Sequence, residues 1–226
     1  FDKDAANKAI GFIEQFITHT KGELSGKKLK LEDWQKKIVG DIFGWKNKET
    51  ELRKYRTVFI LLGRKNGKST LCAAIGLYML FADEERGSEV YSAAGDRQQA
   101  GIVFEIAKGM ILQSPELSQR GKVFRNSIVN ESKGNFYQAI SSDSKTKHGF
   151  NANCIIFDEL HTQPNRDLWD TLVTSTGSRR QPLTIAITTA GYDKQSICYE
   201  IYSYAKKVAD KVIKDDSFYS VIYEAE

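Results

Sequence analysis

The 226 residues suffice for one large domain, or for one domain with small additions. An apolar content of 41% and a charged content of 27% are those of an ordinary globular protein. No apolar run is long enough to cross a membrane as a helix, and no secretory signal opens the chain. The net charge of +4 permits a nucleic-acid partner without requiring one. Three scattered cysteines and three unclustered histidines argue against a disulfide framework or a structural zinc site, so a reduced, cytosolic protein is expected.

Along the chain, Ala5, Ile10, Ile13, Phe16 and Ile17 recur at helical spacing over residues 4–18, behind an aspartate cap. The Gly/Lys/Ser-rich stretch HTKGELSGKKL connects them to a second amphipathic helix, LEDWQKKIVGDIFGW, and a charged loop runs on through Arg56. TVFILL (57–62) reads as a buried parallel strand, and KSTLCAAIGLYMLFA as a long helix with small residues on one face. EVYSAA (89–94) is the next strand, followed by the helix DRQQAGIVFEIAKGMILQ with Asp96 as its N-cap. KVFRNSIVN and GNFYQAIS read as shorter, more polar strands, a hairpin region leading to a sheet strand. ANCIIFDE (152–159) is again a buried strand, with a helix near 165–176, a strand at PLTIAITTAG (182–191) and a last helix at SICYEIYSYAKKVADKVI. Strands alternating with helices predict an α/β fold, a mostly parallel sheet with helices on both faces. Its expected divisions are an N-terminal helical segment (1–50), a core (51–195) and a C-terminal helix and strand (196–226).

The turn between the first strand and its helix carries chemistry. The common phosphate-binding spacing, G-x-x-x-x-G-K-[ST], would put its first glycine at Leu62. Here Gly63 comes one residue late, and Arg64, Lys65 and Asn66 fill the loop before Gly67, Lys68, Ser69 and Thr70. Such a loop works by aiming backbone N–H groups and a helix N-terminus at phosphates. Lys68 would reach the β- and γ-phosphates, and the Ser69 hydroxyl would bind Mg²⁺. Taken alone, the string reads equally well as a strand-to-helix turn that contains Gly-Lys-Ser.

CIIFDELH supplies the second half. Asp158 at the strand end would hold Mg²⁺, and Glu159 would activate the water that attacks the γ-phosphate. Adjacent acids at a strand end are by themselves more often a helix N-cap region, but the two motifs together indicate an ATP site. About 90 residues separate Lys68 from Asp158, room for at least one other strand between them. That spacing fits the P-loop NTPases with an additional strand and a catalytic glutamate, and disfavours small nucleoside kinases.

Trp34-Gln35 in LEDWQKKI, GRKNGKST, EVYSAAGDRQQA, HGFNANCIIFDELH and AITTAG occur in an order that resembles the large terminase subunit of tailed bacteriophages. The likeness is to the ATPase domain of the branch that packages DNA at cohesive or unit-length ends, and it covers nearly the whole chain. It accounts for the late glycine, since terminases have a variant loop with a basic residue inside it. The resemblance implies that Gln35 reads the adenine edge with Trp34 beside it, although core burial would explain Trp34 equally. It implies that residues Gly63 to Thr70 surround the phosphates, with Arg64 approaching the γ-phosphate; an exposed arginine in a turn is the plainer alternative. Lys68, Ser69, Asp158 and Glu159 fall on the family's phosphate, metal and catalytic positions, and Thr188-Thr189-Ala190 on its coupling motif.

The cation that would complete a neighbouring subunit's site stays open among Arg179, Arg180, Lys147 and Arg125. The loop before the Asp158 strand carries Lys145, Lys147 and His148 but no arginine. Arg97 and residues 145–148 are candidates for contacts to the backbone of double-stranded DNA, each also readable as solvated basic surface. By resemblance the chain self-associates into a ring and works with a portal protein and a small terminase subunit in the cytoplasm of the infected host. No second acid cluster of the terminase nuclease kind is present. Asp215-Asp216 reads as a charged turn, and the last strand as the start of a connection towards that domain. The start at Phe1 and the open C-terminal strand fit a fragment of a longer protein. The expectation is therefore ATP hydrolysis without DNA cutting. A helicase-like translocase would need a second lobe, and a non-hydrolysing switch would not need Glu159.

Overall fold

The strands that carry the sequence-predicted site residues end side by side along one edge of a single sheet. A computed structural model of the chain describes residues 1–63, 66–142, 149–189 and 193–223. It begins with α1 (Lys3–Phe16), α2 (Asp33–Gly44), β1 (Thr57–Leu61), α3 (Lys68–Phe81), β2 (Glu89–Ala94), α4 (Arg97–Leu112) and the one-turn α5 (Pro115–Ser118). Then come β3 (Lys122–Val123), β4 (Ser127–Asn130), β5 (Asn135–Ser141), β6 (Ala152–Asp158) and a 3₁₀ turn at Leu160–Thr162. The last elements are α6 (Asp167–Thr174), a 3₁₀ turn at Ser175–Ser178, β7 (Leu183–Thr188), α7 (Ile197–Ala209) and β8 (Phe218–Ile222).

The strand order is β3-β4-β5-β2-β6-β7-β1-β8. Strands β5 through β8 in that order are all parallel, with β4 and β3 added antiparallel at one edge. A strand does separate β1 from β6, as the spacing predicts, but it is β7, which follows both in the chain. The long interval between Lys68 and Asp158 is occupied by β2 to β5 on the far side of β6.

The sheet is buried on both faces, which is why its central strands read as unbroken apolar runs. In β6, Cys154 and Ile156 face the core beneath α1 to α4, while Ile155 and Phe157 face the one beneath α6 and α7. In β1, Val58 and Ile60 take the first side, Phe59 and Leu61 the second. Each such side chain contributes roughly 1.5–3 kcal/mol by leaving water. From Leu71 to Phe81, α3 is buried all round between the sheet and α1, α2 and α4. Gly76 permits that approach, because a Cβ there would stand 3.1 Å from the Tyr137 ring and 3.2 Å from Ile156.

Caps fall where the sequence puts them: Asp2 accepts from the Ala5 N–H and Asp96 from that of Gln99, both at 2.9 Å. The last helix stops earlier than its periodicity suggests. Lys211 takes a φ of 58°, its N–H returns to the Val208 carbonyl, and that of Val212 returns to Lys207. This left-handed closure ends α7 at Ala209 without a glycine. The chain then turns at Asp215, whose carboxylate accepts from Tyr204 Oη and from the N–H and hydroxyl of Ser217. β8, expected as the start of a connection, is the edge strand of this sheet, paired with β1 from Phe218 against Thr57 to Ile222 against Leu61. All three cysteines are free and buried, and no described helix is long and apolar enough to cross a membrane.

Candidate active site

Beyond Leu61 the chain has left β1 and must turn back over the sheet as α3. Gly67 makes the turn, as the N-cap of α3 with φ 68° and ψ 20°, a left-handed geometry that glycine holds without steric cost. The first turn of α3 then presents N–H groups that have no intrahelical acceptor, the usual basis of an anion site. Lys68 is buried at the start of the helix, and its ammonium donates to the Gly63 carbonyl at 3.0 Å. The Asn66 amide donates to the same oxygen at 3.3 Å. The loop is thus folded onto itself by its own lysine, in a contact that phosphate oxygens could replace. Thr70 lies half-buried in the first helical turn. Arg64 and Lys65 lie outside the described residues.

Ser69 and Asp158 meet. The serine hydroxyl donates to Asp158 Oδ2 at 2.9 Å, joining the start of α3 to the end of β6. The other carboxylate oxygen, Oδ1, is buried without a hydrogen-bond partner, an orphaned acceptor of the kind that a hydrated cation satisfies. Burial raises the Asp158 carboxyl above its ordinary value, against the opposing pull of the Ser69 hydrogen bond.

Glu159 is set apart by its backbone, which adopts φ 50° and ψ 53°. A non-glycine residue pays roughly 1–2 kcal/mol for that conformation, and such outliers cluster at functional sites. The kink ends β6 and begins the 3₁₀ turn that carries His161. His161 Nδ1 lies 2.9 Å from Thr188 Oγ1 and 3.3 Å from Glu159 Oε2, an oxygen that is buried and makes no hydrogen bond. Thr188 closes β7, fully buried between the ends of β1 and β6, and its carbonyl accepts from the Leu62 N–H at 3.1 Å. Thr189 follows, also buried. Asp158 and Glu159, Thr188 and Thr189, and the turn from Gly67 to Ser69 therefore lie together at one end of the sheet. His161 is the participant that sequence reasoning leaves without a role, though it stands in the same CIIFDELH string.

Gln35 belongs to the same neighbourhood. Its Oε1 accepts from the Glu32 N–H at 3.0 Å in a capping box on α2, while a Cβ built on Gly67 would lie 3.8 Å from its Nε2. Trp34 packs against the main core, in keeping with its plainer reading. The expected neighbour-completing cations are placed differently. Arg179 precedes β7, at the opposite end of the sheet from Lys68. Its guanidinium donates to the carbonyls of Asn151, Gly87 and Arg86 and lies 3.5 Å from Glu85, with the side chain only 9% exposed. Arg179 thus fastens the loops at the base of the sheet within this chain. Arg180 lies at the same end. Arg97 and Arg125 are exposed, and Lys145, Lys147 and His148 lie outside the described residues.

Comparison with known proteins agrees with this geometry. The family model described as the terminase large subunit, ATPase domain, matches residues 33–207. The terminase large subunit of Enterobacteria phage HK97 is 30% identical over 191 residues, covering 80% of this chain and 36% of that protein. That of Lactococcus phage SK1 is 24% identical over 226 residues, covering 96% of this chain and 40% of the relative. The chain thus spans well under half the length of these relatives. Among solved structures, the HK97 large terminase superposes with a TM-score of 0.82 at 23% identity, covering 98% of this chain and 44% of that one. The large terminase ATPase domain of Thermus phage P74-26 gives 0.59 at 18% identity, covering 86% of both chains. The fold is that of the P-loop NTPases, and the chain belongs to the terminase large subunit ATPase domain family.

Proposed function

We propose that this chain is the ATP-hydrolysing part of a motor that drives double-stranded DNA into a viral procapsid. The observation that carries the reading is the junction of Ser69 with Asp158 at 2.9 Å, with Glu159 next to it at the end of the same strand. In this reading Lys68 exchanges the Gly63 carbonyl for β- and γ-phosphate oxygens. Ser69 and Asp158 hold Mg²⁺, which neutralises charge on the phosphates when bound. The Glu159 carboxylate takes the proton of the attacking water. Gln35 faces the adenine, and Arg64 lies near the γ-phosphate. Thr188 and Thr189 carry the loss of that phosphate into the sheet.

The motor reading extends to partners. The chain would form a ring with its own kind, touch the DNA backbone without reading sequence, and dock on a portal protein and a small terminase subunit in the host cytoplasm. Arg179, Arg180 and Lys147 are the candidates for the cation supplied between subunits.

The test is ATP turnover across a concentration series, beside Glu159→Gln. Turnover should require Mg²⁺ and fall on the order of 100-fold or more in the variant while ATP binding persists. Specific activity that rises with concentration supports sites completed between subunits, and flat activity assigns each site to a single chain. Equal turnover in the variant would refute the role of Glu159 and with it the proposed mechanism.

A further inference from the structure

We infer that His161 is a positioning residue for ATP hydrolysis, whose ring is hydrogen-bonded to the Thr188 hydroxyl and lies in electrostatic contact with the Glu159 carboxylate, so that the acid and the end of β7 move together. The inference rests on the proposed role of Glu159 and adds the residue that sets its position.

Three observations converge on the ring. The first is its hydrogen-bond pattern. Thr188 Oγ1 lies 2.9 Å from His161 Nδ1, 3.7 Å from Cys198 Sγ on α7 and 3.3 Å from the Thr189 carbonyl. Only one arrangement serves all three. Nδ1–H and the thiol donate to the hydroxyl oxygen, and the hydroxyl donates to the carbonyl. Nδ1 then carries a proton, and the neutral ring is the Nδ1–H tautomer. Its proton points at Thr188, so the Glu159 carboxylate 3.3 Å away feels the N–H dipole without lying on the hydrogen-bond line. That explains why a buried carboxylate oxygen so close to a nitrogen still lacks a hydrogen bond.

The second observation is the backbone. The left-handed conformation of Glu159 places His161 back over β7, and Thr162 secures the turn by donating both its N–H and its hydroxyl to the Glu159 carbonyl, at 2.8 and 2.9 Å. The third is the wall behind it. A Cβ on Gly95 would fall 2.2 Å from the Thr162 carbonyl oxygen, so the loop after β2 lies directly against this turn and only glycine fits. The turn that carries the ring is thereby held by its own hydrogen bonds and by the loop packed against it. If Thr188 shifts when the γ-phosphate departs, its shortest route to Glu159 runs through His161.

The test compares His161→Ala, His161→Asn and Thr188→Val. His161→Ala should lower kcat at least 10-fold while KM and the affinity for a fluorescent ATP analogue stay within about twofold. His161→Asn, whose amide can return a donor near the Nδ1 position, should recover much of the loss. The alanine and valine changes combined should cost no more than the larger single change, as expected of residues acting through one another. A kcat within twofold of the unsubstituted chain in a folded His161→Ala variant would overturn the inference, and so would full additivity.

A second readout does not depend on turnover. In the nucleotide-free chain at mildly alkaline pH, ring nitrogen NMR should give His161 as the Nδ1–H tautomer, lost in Thr188→Val. A signal of the Nε2–H form would overturn the inference. Absence of turnover in the unsubstituted chain would count against the motor reading alone, and the ring signal then decides the hydrogen bond to Thr188.

Discussion

Ser69 and Asp158 are 89 positions apart in the chain and 2.9 Å apart in space, hydroxyl to carboxylate. The contact joins the helix that would hold phosphates to the strand that would hold the metal. The contact is made between two side chains of the protein, and it fixes the start of α3 against the end of β6. Its geometry follows from the sheet order, which sets β6 two places from β1 with only β7 between them.

Ser69→Ala should therefore do two separable things. It leaves Asp158 buried with both oxygens unpartnered, costing about 1–2 kcal/mol in the nucleotide-free chain. It also removes the hydroxyl that would bind Mg²⁺, so the rise in melting temperature on adding Mg²⁺-ATP should shrink markedly. A thermal-shift titration with and without Mg²⁺ reads both effects. An unchanged Mg²⁺-dependent shift would remove Ser69 from the metal site.

Arg179→Ala should lose about 2–3 kcal/mol of stability, because a nearly buried guanidinium with several charge-assisted hydrogen bonds is replaced by unpaired carbonyls. Arg179→Lys should recover little, since one ammonium cannot span the carbonyls of both Gly87 and Asn151. Arg180→Ala should stay within about 0.5 kcal/mol. Urea unfolding of the three variants checks this. A residue whose work lay in a neighbouring subunit's site would leave the stability of a single chain intact and lower only turnover.

Much of the frame could be read from the residues. β1, β6 and β7 are apolar on both faces, the phosphate loop has a glycine where the chain must turn left-handed, and Asp96 caps its helix. The particulars that were missed depend on contacts between distant segments. Arg179 in TGSRRQP looks like an exposed loop arginine, and only the return of residues 86, 87 and 151 to the base of the sheet makes it structural. His161 acquires its contacts because a strained Glu159 turns it towards a threonine 27 residues away. The end of α7 has no glycine to announce it, since Lys211 takes the left-handed position itself. Thr188 and Thr189 read as a plain strand end from the residues alone, and only the family resemblance suggests a coupling role.

Gly95→Ala tests the wall behind the 3₁₀ turn. The added methyl would need the Thr162 carbonyl to retreat, because 2.2 Å is far inside van der Waals contact with backbone that cannot rotate away. Overpacking of this kind costs about 1–3 kcal/mol. The displaced turn carries Glu159, so turnover should fall by more than the stability loss explains, with ATP affinity little altered. Circular dichroism melts and steady-state turnover on the same preparation separate the two.

Asp215 gives a pH-dependent prediction. Partial burial pushes its carboxyl up, but the hydrogen bonds from Ser217 and Tyr204 outweigh it and hold the group below its ordinary value of 3.8. A depressed folded-state pKa means stability that is present above pH 3.8 and lost as pH falls through the lowered value. Asp215→Asn should therefore be less stable at neutral pH by at most about 1 kcal/mol, since the turn is part-exposed and screened. The difference should close in acid. Unfolding midpoints at neutral pH and near pH 3 decide it, and a difference that widened in acid would reverse the sign of the argument.

Gln35 has two available occupations, and one substitution separates them. Its Oε1 completes the capping box with the Glu32 N–H, while its Nε2 lies beside Gly67. Glutamate serves a capping box as well as glutamine does. Gln35→Glu therefore keeps the cap and removes the amide donor, and it should melt close to the unsubstituted chain. If the amide reads adenine, the same variant should bind ATP at least 10-fold more weakly and lose its preference for ATP over GTP, because a site built around a hydrogen bond discriminates through that bond. Gln35→Ala should show the same loss of preference plus about 0.5–1 kcal/mol of stability from the missing cap. Nucleotide competition assays on both variants, read beside their melting curves, give the answer. Unchanged selectivity in Gln35→Glu would leave Gln35 as a helix cap alone and would place adenine recognition elsewhere on the loop.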